Sequence, residues 1–154
     1  MAEESVIVRC PHCGARNRIP ASRWGDDRAV CGRCKSALAV SSLFPDGPVP
    51  ISDSAFAREV LGFPGPVLVE FFAPWCGHCQ RLAPVLNELA SEYAGRVKFA
   101  TVNIDDNHLI ASQQGVNGTP TLFFYNHGRL ADRVAGALPK AELMQRLDRL
   151  TSGH

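Results

Sequence analysis

The 154-residue sequence has no apolar run approaching the roughly 18 residues that a membrane-spanning helix needs. Its start, MAEESVIVRC, also lacks the basic stretch followed by an apolar one that directs export. Both absences predict a cytoplasmic protein with no membrane partner. Surplus charge is missing too: lysine plus arginine is 16 against 15 acids, so nothing in the balance draws the chain to nucleic acid or an anionic surface. Residues 1–40 are short of large apolar side chains, and arginines at 9, 16, 18, 23, 28 and 33 take up much of the segment. So little hydrophobic surface cannot offset the entropy of ordering the backbone, and the segment needs a staple. Finally, no cysteine stands outside a pair. All six occur as C-x-x-C, at Cys10/Cys13, Cys31/Cys34 and Cys76/Cys79. In an exported chain six cysteines would suggest three disulfides, whereas in a reducing compartment such pairs more often bind metal or do redox chemistry.

Three regions follow from the pattern of residues. Residues 1–40 form the small arginine-rich segment, and SSLFPDGPVP at 41–50, with three prolines and a glycine, reads as a linker. From Ile51 to the end, helix and strand signals alternate. SDSAFAREVLG sets Phe56, Val60 and Leu61 on one helical face, and GPVLVEFFA is a short apolar run typical of a buried strand. A helix follows, with Leu82, Val85, Leu86, Leu89 and Tyr93 at helical spacing, Pro84 expected to kink it and Gly95 ending it. RVKFATVNI alternates as a strand, DDNHLIASQQG reads as a short helix, two strands meet at a turn over Asn126–Gly128, and LPKAELMQRLDRL is amphipathic. The order α-β-α-β-α-β-β-α predicts an α/β fold, a mixed sheet with helices on both faces.

The two outer pairs have the spacing C-x2-C, 17 residues, C-x2-C, which suits a four-cysteine zinc site. Each tight knuckle aims two thiolates at one ion, and Cys10, Cys13, Cys31 and Cys34 would close a tetrahedron with no open position, a structural site. Binding would supply the stability that this region lacks, on the order of 10 kcal/mol or more. A pair of vicinal disulfides, or one clasp, is the alternative. His12 lies in the first knuckle, but four thiolates fill the coordination and it is expected to face solvent. Trp24 is expected to pack over the small domain.

The third pair sits differently, after a buried strand and at the opening of a helix. Unpaired N–H groups and the helix dipole favour a thiolate at Cys76, making it the candidate nucleophile. Cys79, one turn later, can attack the mixed disulfide that Cys76 forms with a substrate and so release the reduced product.

FFAPWCGHC, VNIDDN, GVNGTPTLFFY and VAGAL resemble, in order, the signature stretches of thioredoxin, over about residues 51–150. With the N-terminal cysteine pairs, the chain resembles the bacterial zinc-containing thioredoxin-2 family over nearly its full length. The resemblance implies a thioredoxin fold preceded by a zinc-ribbon-like domain, no bound organic cofactor, disulfide-containing protein substrates, and re-reduction by an NADPH-dependent thioredoxin reductase. It also implies that Pro120 is the cis-proline whose peptide with Thr119 lies beside the dithiol and meets an extended substrate. Trp75 would form an apolar rim over Cys76, and Gly136 would leave a flat patch for a partner.

Glu70 interrupts an apolar strand at the position where thioredoxins usually carry aspartate. A buried carboxyl there should have a raised pKa and could take the proton from Cys79. Thr101 stands where thioredoxins typically have lysine, so the cation that would hold the acid ionised is absent. Gly77 and His78 complete Cys-Gly-His-Cys, the pattern of protein disulfide isomerases, where thioredoxins carry proline in place of His78. An imidazole beside the thiolate stabilises the reduced form and makes the disulfide more oxidising. The leading expectation is thus a cytoplasmic protein-disulfide reductase. A disulfide oxidase or isomerase, and a redox-regulated zinc-ribbon binding module, are the alternatives. His108 and His127 are expected to be solvated and without a role.

Overall fold

A computed structural model describes residues 5–20, 23, 29–38 and 40–152; Trp24, expected over the small domain, lies outside them. Near the N-terminus, β1 (Ser5–Arg9) and β2 (Arg16–Pro20) pair antiparallel, with Val6 opposite Ile19 and both buried. Between them the chain reverses through a knuckle. The Cys10 N–H donates to the Ala15 carbonyl at 2.8 Å and the Gly14 N–H to the Cys10 carbonyl at 2.9 Å. The same turn recurs after Cys31, whose N–H donates to the Ser36 carbonyl at 2.8 Å while the Lys35 N–H donates back to Cys31 at 3.0 Å. Both knuckles need a left-handed residue after the second cysteine; Gly14 takes φ 79° at no steric cost, whereas Lys35 takes φ 65° against its side chain.

Residues 41–50, read from the sequence as a linker, carry more structure than their prolines suggest. A 3-10 helix spans Val40–Leu43, and Phe44 behind it is fully buried, edge-on to Phe63 with ring centroids 5.4 Å apart. Gly65 makes room for it, since a Cβ there would lie 3.1 Å from the Phe44 ring. Val49–Pro50 then form β3, too short to leave a periodic signal.

The main sheet contains β3, β4 (Pro66–Phe72), β5 (Lys98–Asn103), β6 (Thr121–Asn126) and β7 (Arg129–Ala135), in the order β3-β5-β4-β6-β7. β3, β5 and β4 run parallel, while β6 is antiparallel to β4 and β7 to β6. Helices α1 (Gly77–Glu92), α2 (His108–Gln113) and α3 (Lys140–Thr151) complete the thioredoxin-like arrangement. Side chains alternate along β4. Leu68 packs with Leu82, Leu86 and Leu89 of α1 and Leu143 and Leu147 of α3, while Val67, Val69 and Phe71 pack on the other face with Ile110 of α2 and with Phe56 and Val60. With both faces covered, β5 is buried along most of its length and loses the in-out alternation expected of it. Its first residue, Lys98, is 5% exposed and donates to a Glu59 carboxylate oxygen at 2.7 Å and to the Glu59 carbonyl at 2.9 Å.

The first helical segment is a π-helix over Ala57–Leu61, closed by the Gly62 N–H donating to the Ala57 carbonyl at 2.7 Å. This wider turn buries Phe56 and Val60 but leaves Leu61, expected on the same face, 41% exposed. α1 runs unbroken through Pro84. α2 gets its N-terminal cap from far away: the Asp53 carboxylate accepts the Ile110 N–H at 2.9 Å, and Asn107 Oδ1 accepts the Asp53 N–H at 2.9 Å.

The small N-terminal unit is not suspended on a tether. Val6, Cys10, Cys31, Leu38 and Val40 join Phe44, Phe63 and Val67 in one continuous buried cluster. His127, in the β6–β7 turn at φ 53°, is exposed as expected from sequence, but it also bonds the Ser5 carbonyl through Nε2 at 3.1 Å. That turn lies at the end of the sheet where β4 begins, and the Cys76–Cys79 pair follows the other end of β4. The length of a seven-residue strand, about 20 Å, separates them. No helix among the described residues is long and apolar enough to cross a membrane.

Candidate functional site

Two cysteine groups occupy opposite poles. At the first, the Sγ atoms of Cys10, Cys13, Cys31 and Cys34 all lie within 4.8 Å of one another. Cys10 to Cys34 and Cys13 to Cys31 are each 3.6 Å, far beyond the roughly 2.05 Å of a disulfide. A tetrahedron of Zn–S bonds near 2.3 Å has S···S edges of about 3.8 Å, so the cluster fits that ion. Backbone N–H groups of Cys34 and Arg33 hold the Cys31 thiol down at about 6, favouring the thiolate a metal needs. His12 supplies no ligand to this cluster.

One residue here was missed by sequence reasoning. Asn17 accepts the Gly32 N–H on Oδ1 at 2.9 Å, and its amide donates to the Ala15 carbonyl at 3.2 Å and to Cys31 Sγ at 3.6 Å. It ties one knuckle to the other, as outer partners of metal ligands do. No motif marks it, because the register of β2 against the second knuckle is a tertiary fact.

At the second pole, β4 ends and the chain turns through Ala73 and Pro74 into α1. Cys76 is the N-cap of α1, with extended backbone, and its Sγ accepts the Cys79 N–H at 3.2 Å. Sγ also lies 3.5 Å from the carbonyl of Thr119, and the Thr119–Pro120 bond is cis. Burial works against a charged Cys76, but the Cys79 and Thr119 side chains and the N–H groups of Cys79 and His78 outweigh it, and the thiol falls below its ordinary value. Cys79, one turn down the helix, is pushed up to about 11 by burial and by the neighbouring Cys76. No disulfide joins any of the six cysteines.

Glu70 shares a strand face with Leu68 and so points beneath α1. It is 4% exposed, its Oε2 has no hydrogen-bond partner among the described residues, and burial raises its pKa to about 7. A mostly apolar cavity of about 230 Å³ joins it to the dithiol, lined by Glu70, Phe72, Pro74, Cys79, Ala83 and Thr101. Thr101, cross-strand from Glu70 in β5, brings no cation, and burial alone accounts for the shift.

Around the mouth, Trp75 is 70% exposed, and its indole N–H donates to Asp105 at 3.2 Å, a partner sequence reasoning did not single out. Gly136, at φ 101°, donates its N–H to the Pro120 carbonyl at 2.8 Å. A Cβ at Gly136 would meet open space, and a 370 Å³ cleft runs past Thr119, Pro120 and Gly136. Gly77 begins α1, and His78 stands exposed beside it with Nδ1 2.8 Å from the Arg81 guanidinium. The structure therefore links Cys76 to Thr119, Pro120 and Gly136 by successive contacts, with Trp75 exposed next to Cys76, Glu70 and Cys79 lining a cavity of their own, and His78 turned to Arg81.

Known proteins match this picture. Residues 47–149 match the family described as Thioredoxin, and residues 9–36 match the one described as Thioredoxin 2, N-terminal, a zinc ribbon. The chain is 46% identical to Thioredoxin 1 of a Nostoc species over 99 residues, covering 64% of this chain and 92% of that protein. It is also 46% identical to chloroplastic Thioredoxin M5 of Oryza sativa subsp. japonica, covering 90% of this chain and 87% of the relative. Among solved structures, a mutant thioredoxin from Halobacterium salinarum is similar with a TM-score of 0.64 at 32% identity, over 70% of this chain and 93% of that one. Fold, dithiol geometry and these relatives agree: the chain belongs to the thioredoxin family, of the thioredoxin 2 type with an N-terminal zinc ribbon, and is a thiol-disulfide oxidoreductase.

Proposed function

We propose that the protein reduces disulfides in cytoplasmic proteins and is returned to the dithiol form by an NADPH-dependent thioredoxin reductase. The observation that carries this reading is the asymmetric placement of the dithiol: Cys76 Sγ caps a helix N-terminus and accepts the Cys79 N–H at 3.2 Å, while Cys79 is buried one turn below, and the thiol affinities shift in the matching directions. The Cys76 thiolate attacks one sulfur of a substrate disulfide, forming a mixed disulfide and expelling the other sulfur as thiolate. A substrate strand lies along Thr119, Pro120 and Gly136 and against Trp75. Glu70, ionised, takes the Cys79 proton through the intervening cavity, by way of a water because the two groups line the same space without bonding. Cys79 then attacks Cys76 Sγ, the second substrate thiolate leaves, and a Cys76–Cys79 disulfide remains. Two electrons have passed to the substrate, and the reductase restores them.

Cys10, Cys13, Cys31 and Cys34 would hold a structural zinc ion, which supplies folding energy and no open coordination position. In this reading residues 1–40 house the metal, 41–50 connect, and 51–154 do the chemistry. His78 keeps the isomerase reading in view. A coupled assay decides between them: NADPH oxidation with thioredoxin reductase and a protein disulfide substrate, alongside the reduction potential. Turnover with a potential near about −270 mV supports a reductant; no turnover and a potential of about −200 mV or above overturns it.

A further inference from the structure

His78 is adjacent to Cys79 and two residues after Cys76, yet its ring is engaged elsewhere. Its Nδ1 is 2.8 Å from an Arg81 guanidinium nitrogen, one helical turn on. Arginine only donates, so Nδ1 is the acceptor and the ring carries its proton on Nε2. The guanidinium lies along the same open side of the first turn, since a Cβ on Gly77 would come 3.7 Å from Arg81 Nη1. Cys76 Sγ accepts the Cys79 N–H and lies 3.5 Å from the Thr119 carbonyl, and among the described residues no bond reaches it from the His78 ring.

We propose that Arg81 is a positioning residue for the dithiol: by occupying His78 Nδ1 it keeps the imidazole from turning to the Cys76 thiolate, and so keeps a Cys-Gly-His-Cys protein reducing. An imidazole N–H bonded to the thiolate would stabilise the dithiol form over the disulfide and make the couple more oxidising. While Arg81 holds the ring, that stabilisation is withheld. The inference deepens the reductase reading and rests on it.

Two effects of removing Arg81 have opposite signs, which makes the test clean. As a plain cation near Cys76, Arg81 stabilises the thiolate, so its loss would make the couple more reducing. As a clamp, its loss frees His78 and makes the couple more oxidising. The experiment equilibrates zinc-loaded full-length protein with glutathione buffers, comparing wild type, Arg81→Met, His78→Ala and the double variant. Arg81→Met should raise the equilibrium constant for oxidation of glutathione-type thiols roughly tenfold, about 30 mV for this two-electron couple. In the His78→Ala background the same change should give no increase. Arg81→Gln, which retains an N–H donor without the charge, should stay closer to wild type, and the ¹⁵N shifts of the His78 ring should show the Nε2–H form in wild type and lose that preference in Arg81→Met. A decrease with Arg81→Met, or an equal change in both backgrounds, overturns the proposal. The wild-type potential and reductase-coupled turnover test the reductase reading separately, so either idea can fail without the other.

Discussion

The same C-x-x-C spacing serves two kinds of site in this molecule, and the residue after the second cysteine separates them. In the ribbon, Gly14 and Lys35 take left-handed conformations, the chain reverses, and two thiols from each knuckle face a common centre. In the dithiol, Gln80 instead continues the helix, its N–H donating to the Cys76 carbonyl at 3.1 Å. One thiol then caps the helix N-terminus and the other is buried a turn below, so their proton affinities split. A turn aims both cysteines of a pair at a common centre, and a helix makes them a nucleophile and a resolving thiol. The second difference is location: the described part of the ribbon docks by the β6–β7 turn, at the end of the sheet away from Cys76.

The largest break should come from exchanging single cysteines. Cys76→Ser should remove disulfide reduction to below a thousandth of wild type with metal content unchanged, since the serine hydroxyl is not ionised at neutral pH. Cys31→Ser should do the converse, losing metal binding worth on the order of 10 kcal/mol and the protection of ribbon amides against hydrogen exchange, while reduction persists within about threefold. Metal content by atomic absorption and turnover with a reductase give both readings.

Next is the seam between the regions. Phe44→Ala leaves a cavity against Phe63 and Gly65 and should cost about 3–5 kcal/mol in a denaturant titration.

Glu70 sharpens the comparison through pH. Its carboxyl is raised to about 7 in the folded chain, against an ordinary value near 4.5. The folded state therefore binds this proton more tightly than the unfolded one. The associated stability is fully present below about 4.5 and is lost as pH rises through about 7. Above that pH Glu70 should destabilise the fold by about 3 kcal/mol, and Glu70→Gln should relieve most of it, growing between those two pH values. The same variant should slow resolution of the mixed disulfide and flatten its rise with pH near 7, measured by stopped-flow fluorescence. The smallest effect is at the knuckle: Lys35→Gly should stabilise the ribbon by about 0.5–1 kcal/mol by relieving the left-handed side chain.

Much of this was legible in the sequence because it rests on local pattern. The alternation from Phe56 to Leu150 gave the order of helices and strands, and the strand before Cys76 with the helix after it located the dithiol. What sequence did not reveal depends on distant residues meeting. Val49–Pro50 join the sheet only by pairing with β5, α2 is capped by Asp53 from 57 residues away, and Lys98 is buried because Glu59 reaches it. Likewise His127 could not be assigned to Ser5, 122 residues away, nor Asn17 to the second knuckle. The His78–Arg81 pair was local, at helical spacing, and the signal that would have found it is the i, i+3 rule applied to the first turn of α1.

The most direct test of the division between the cysteines is to titrate zinc-loaded protein through a series of glutathione buffers, mapping each thiol by alkylation and mass spectrometry and measuring bound metal at every point. The account predicts that Cys76 and Cys79 oxidise together at one midpoint while one zinc ion per chain stays bound and Cys10, Cys13, Cys31 and Cys34 remain reduced. Loss of metal in step with that oxidation, or oxidation of the four outer cysteines at the same midpoint, would contradict it.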